Sequence, residues 1–139
     1  MVDAQVMLAE MLVHGKGGPK DHAEAFRLFE AAAQHGHAGA QFALGAMMGG
    51  GHDIPTDRGA AQDWFARAAG QEHHHAQLML GRYLARGLAG ETDVERARGL
   101  LTAALAAGLE EASEELAALP AEKAAEPELA SSGEPEARG

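Results

Sequence analysis

Five of the eight histidines crowd two short stretches, with His35 and His37 in one and His73, His74 and His75 in the other. Neutral imidazole ligates zinc, nickel and copper, so this is where metal chemistry would be sought first. His37, His73 and His75 are the candidate ligands. His37 and His73 recur at one phase of an internal repeat, which places them on one edge of a stack. Neighbouring units of such a stack lie on the order of 10 Å apart, which is long for shared ligation. Neither the spacing nor a nearby carboxylate array defines a site, and exposed turn histidines are the preferred reading.

Other candidates for chemistry fall away on their residue types. Gly-Lys-Gly-Gly-Pro-Lys (15–20) lacks the phosphate-loop spacing and its Lys-Ser/Thr pair, and no strand precedes it. The three serines, Ser113, Ser131 and Ser132, have no histidine and carboxylate nearby in sequence to form a triad. Glu110, Glu111, Glu114 and Glu115 read as a solvated face, where nothing tunes a carboxylate for acid–base work. The absence of cysteine removes disulfides and thiolate chemistry. No nucleophile and no cofactor loop emerges, so the expectation is a non-catalytic chain without a cofactor.

The net charge of −10 is unevenly spread. Residues up to Leu109 carry 12 acidic and 9 basic side chains, whereas from Glu110 onward there are 9 acidic and 2 basic. With no basic stripe, nucleic acid is excluded as a partner, because phosphate contacts need clustered Lys and Arg. No apolar stretch has the length of a membrane span. Met1 to Leu12 carries Asp3 and Glu10 and no basic segment, unlike a signal peptide, and a cytoplasmic location is the default expectation.

The elements that must position any site come from a repeat of 36 residues without a gap. Ala4, Ala40, Ala76 and Ala112 align, as do Leu8, Leu44, Leu80 and Leu116. The small residues Ala9, Gly45, Gly81 and Ala117 share a phase, and so do Phe29, Phe65 and Leu101. Each copy reads as two helices. Gly15, Gly51 and Gly87 are expected to end the first, since glycine adopts the left-handed C-terminal conformation without steric cost. Asp21, Asp57 and Asp93 are expected to start the second by accepting free backbone N–H groups. Gly36 and Gly108 close it in copies one and three, while Glu72 at that phase in copy two suggests an earlier stop at Gly70.

A helix pair of this size cannot bury its apolar stripe alone, so neighbours must stack. The expected fold is all-α, a solenoid of three 36-residue helix–turn–helix repeats at about 4–39, 40–75 and 76–111. A capping helix over 111–119 covers copy three, its glutamate face meeting water. Residues 120–139 are expected to form a disordered acidic tail. The solenoid as a whole occupies 1–119. Copy one has no equivalent cap, which leaves an exposed apolar flank, self-association through this uncapped N-terminal repeat, or further sequence upstream as alternatives.

The runs Ala-Gln-Phe-Ala-Leu-Gly (40–45), Trp-Phe-Ala-Arg-Ala-Ala (64–69) and Ala-Gln-Leu-Met-Leu-Gly (76–81) resemble the Sel-one-like repeat family, relatives of the tetratricopeptide repeats. The resemblance covers residues 4 to about 111. Copy three departs in having Leu100-Leu101 at the aromatic pair. The resemblance implies an α/α superhelix, commonly bacterial, acting as an adaptor or scaffold for another protein. It also implies that first helices line the concave face, which by phase points to Asp3, Val6, Glu10 and Val13, then Phe42 and Ala46, then His75, Leu78, Arg82 and Ala85. Phe42 and Leu78 share a phase, and together form either an apolar strip or ordinary inter-repeat core. As a strip flanked by Arg82 and Arg86, with Glu10 farther along, it would accept a partner helix or extended peptide. Two alternatives remain, an enzyme-like or metal-handling protein centred on the histidines and a structural segment of a larger assembly.

Overall fold

Apolar stripes at helical spacing, broken by glycine, proline and aspartate, dictate a series of short helices. The computed structural model describes residues 2–14, 19–50 and 55–120. Among these it contains seven α-helices and no strand: α1 (Val2–His14), α2 (Pro19–Gln34), α3 (Ala38–Met48), α4 (Arg58–Ala69), α5 (His74–Arg86), α6 (Val94–Ala106) and α7 (Glu111–Ala117). The expectations for Gly15, Gly51 and the tail beyond Pro120 lie outside the described residues.

The helix ends follow local chemistry. The Asp57 carboxylate accepts from Ala60 N–H at 3.0 Å and Asp93 from Arg96 N–H at 3.1 Å, satisfying donors that have no partner within the helix. In copy one the helix instead opens at Pro19, so Asp21 lies inside it rather than at its cap. Proline suits that first position, where its missing N–H costs nothing. Gly87 ends α5 in the left-handed region at φ 66° and donates to the Tyr83 carbonyl. In copy two α3 stops at Met48, and Gly50 just beyond it has φ 115°.

The turns between copies are built alike. His37, His73 and Leu109 donate their N–H to the carbonyls of Ala32, Ala68 and Ala104 at 3.2, 3.1 and 3.0 Å. Each turn needs one residue at positive φ: Gly36 at 90°, Gly108 at 102° and, in copy two, Glu72 at 65°. Helix α4 does stop early, at Ala69, yet Glu72 still adopts the glycine-like conformation. The repeat geometry overrides the residue's own preference.

Stacking follows chain order. Helix α3 packs on α2 and α4, and α5 packs on α4 and α6, so each of these first helices lies between two second helices. Helix α7 packs on α6 and α5. The small phase explains the close approach. A Cβ on Gly45 would stand 2.6 Å from the Phe65 ring, and one on Gly81 would stand 2.7 Å from Leu101. Phe65 is fully buried and meets Phe42 at 5.8 Å and Tyr83 edge-on at 5.3 Å, linking copies two and three. Copy one and α3 share a second cluster around Phe29, Ala32, Leu44 and Met47. The Gln41 side chain ties the first junction by donating to the Ala33 carbonyl at 3.2 Å while accepting from Gln71 at 3.0 Å.

Candidate partner-binding groove

The first helices of copies one and two leave a groove of about 290 Å³ between them. Glu10 and Val13 of α1 line one side, Phe42, Ala43 and Ala46 of α3 the other, and His73 reaches it from the start of α5. The lining is mostly apolar with a carboxylate and an imidazole at its edge. A surface of that kind suits an apolar side chain from a polypeptide whose polar groups remain near water.

The groove brings together Glu10, Phe42 and His73, and Leu78, Arg82 and Arg86 are not part of its lining. Leu78 shares the Phe42 phase but is only 4% exposed and belongs to the core around Phe65 and Leu101. The reason is coverage, because α5 is packed by α4, α6 and α7 together, which widens its buried stripe. Arg82 and Arg86 are already engaged. Arg82 Nε donates to Glu115 Oε2 of α7 at 2.8 Å, and Arg86 donates to the same oxygen. The glutamate face of α7 is therefore not wholly solvated, since Glu115 is 8% exposed. Repeat phase does not settle this, because Glu115 aligns with the partly buried Ala43 and Met79 but also with the exposed Met7.

The histidines have a structural task that their spacing did not reveal. His37 Nδ1 accepts from Ala40 N–H at 3.1 Å and His73 Nδ1 from Ala76 N–H at 3.1 Å, so they cap α3 and α5. An accepting Nδ1 leaves the neutral ring's proton on Nε2. In His37 that atom lies 3.3 Å from Asp3 Oδ1, tying α1 to the cap of α3. His73 stacks on Phe42 at 4.9 Å, and His75 stands 6.2 Å from His73. Among the described residues no three His, Asp or Glu side chains converge as a metal set. The cap geometry explains this, since it turns one nitrogen of His37 and of His73 onto its own helix. Burial lowers the His73 pKa below 6.5, and the neighbouring His75, His74 and His37 lower it further against a smaller opposing backbone hydrogen bond.

Comparison with known proteins agrees with the repeat geometry. Seventeen solved chains match. One is a Sel1 repeat protein from Oxalobacter formigenes, 34% identical, with 84% of this chain and 87% of that chain covered and a TM-score of 0.72. Another is c5321, a protective antigen present in uropathogenic Escherichia coli strains and displaying an SLR fold. It is 28% identical, with a TM-score of 0.77 over 83% of this chain and 25% of that one, so this chain spans about a quarter of its length. No curated protein matches. Residues 2–37, 38–73 and 74–109 each match the Sel1 repeat. With three matched copies in succession and the helix order they require, the chain belongs to the Sel1 repeat family.

Proposed function

We infer that this protein is a non-catalytic scaffold that holds a segment of another protein in the groove between α1 and α3. Sel1-repeat proteins are generally protein-interaction scaffolds. The observation that carries the reading here is the open, largely apolar groove walled by Phe42, Ala46 and Val13, with Glu10 at its rim. An apolar side chain of the partner would displace water from the Phe42 face, and Glu10 would favour a neighbouring cationic residue. Arg82 and Arg86 would join such a surface only if α7 released them.

The test is capture of partners on the immobilised chain, followed by titration of the species recovered. Ala46→Arg fills the groove from a partly exposed helix position and is expected to abolish that binding while helicity is kept. Phe42→Ala is expected to weaken it, and Glu10→Gln to reduce its salt dependence. Unchanged affinity in Ala46→Arg would remove the groove from consideration.

A further inference from the structure

Four large apolar side chains stand exposed among the described residues: Met7 at 64%, Leu8 at 47%, Met11 at 67% and Leu105 at 37%. They lie on two faces, both of which are halves of the junction that joins one repeat to the next. Leu8 and Met11 are on α1. Their counterparts on α3 and α5 are Leu44 and Met47, then Leu80 and Tyr83, none more than 3% exposed. What covers α3 and α5 is the second helix of a preceding copy, α2 and α4 respectively, and among the described residues no helix takes that place on α1. Leu105 is on α6, the last second helix. Its counterparts Ala33 and Ala69 are 2% and 9% exposed, on helices packed by the following α3 and α5.

Helix α1 thus displays the half-junction that α3 and α5 keep covered, while on α6 the other half lies under α7 with Leu105 left partly uncovered. Inside the molecule these same two surfaces bind each other twice. We propose that a second copy of this chain docks head to tail, its α1 packing on α6 as α3 packs on α2 and α5 on α4. The proposal is independent of the groove. Gln5 has the phase of Gln41, whose amide donates to the Ala33 carbonyl, so at the new junction Gln5 would address the carbonyl of Leu105. The contact is heterologous, leaving one free half at each end, and growth is therefore open-ended.

Helix α7 now holds the seat on α6. Ala112 and Leu116 repeat the phases of Ala4 and Leu8, and Ala112 is fully buried. Yet α7 has 7 residues against 13 in α1, and it leaves Leu105 partly uncovered. Its hold on α5 includes the Glu115 pairing with Arg82 and Arg86. Docking requires α7 to yield, and that pairing sets how readily it does so.

Sedimentation velocity of the full chain over rising concentration tests this. Wild-type chain is expected to assemble at high concentration, and Glu115→Ala at lower concentration. Leu8→Glu and Leu105→Glu change exposed residues, so they are expected to keep wild-type helicity and to lose assembly, each blocking one half of the junction. An equimolar mixture of the two retains one working pair of faces and is expected to give a dimer and nothing larger. If helicity is lost, Met11→Glu and Leu105→Gln take the same places. Monomers in both wild type and Glu115→Ala, assembly of Leu105→Glu like that of wild type (two-fold pairing of α1 faces), or a mixture that stays monomeric would each overturn the proposal.

Discussion

Glycine at positions 45 and 81 and glutamate at position 72 show the repeat geometry acting on single residues in opposite ways. At Gly45 the backbone is helical and the constraint is space, because Phe65 occupies the volume a methyl would need. Gly45→Ala should cost about 1–3 kcal/mol by overpacking, read as a lower denaturation midpoint with an unchanged slope. At Glu72 the constraint is the backbone itself, held at φ 65° where copies one and three place glycine. Left-handed geometry costs a non-glycine residue about 1–2 kcal/mol, and part of that is recovered on substitution. Glu72→Gly should therefore stabilise the protein by roughly 0.5–1 kcal/mol, visible as a raised Tm. His73 adds a pH term. Its folded-state pKa lies below 6.5, so the folded protein binds this proton less readily than the unfolded chain. Its contribution is fully present above pH 6.5 and is lost as pH falls toward the depressed folded value. His73→Asn keeps an acceptor at the cap and should flatten that part of the stability–pH curve in denaturant titrations.

Helix α7 shows how far an element can be read from its pattern. Its start near Glu111 and its stop before Pro120 follow from the apolar phases of Ala112 and Leu116 and from proline. Its inner charge does not, because one glutamate among four is turned toward α5 by the rotation of the helix on α6. Glu115 keeps two arginines paired, one of them half-exposed, so the loss of its charge should be modest. Glu115→Gln should destabilise α7 by roughly 1–2 kcal/mol after discounting for solvent. Hydrogen exchange should report it as faster exchange in α7 with α3 and α4 unaffected, since stability here is set by nearest neighbours.

Over the whole molecule, neighbour-only packing makes the middle of the stack decisive. Phe65 reaches Phe42 of α3 in one direction and Tyr83 of α5 in the other, joining copies two and three through one ring. Phe65→Ala should cost about 3–5 kcal/mol, a large part of the stability of a chain this size. Calorimetry should show either a strongly lowered Tm or separate transitions for the halves on either side of Phe65. Terminal substitutions such as Leu8→Glu should leave the midpoint near that of wild type.

Periodicity alone determined much of this protein. The phases of alanine, glycine, leucine and phenylalanine made it all-α, set two helices per copy and named the core residues Leu44, Phe65 and Leu101, because burial in a repeat is inherited from phase. Glu10 and Phe42, which the family resemblance carried over by phase, both line the groove between α1 and α3. What only the tertiary structure decided was where phase equivalence fails. Leu78 is buried on α5, which α4, α6 and α7 all pack, while Phe42 on α3 is only partly buried and lines the groove beside α1. Glu115 is paired rather than solvated, and His37 and His73 each cap a helix through Nδ1. Each depends on which neighbour a helix happens to have, and a one-dimensional pattern carries the helix face but not the identity of the surface lying against it.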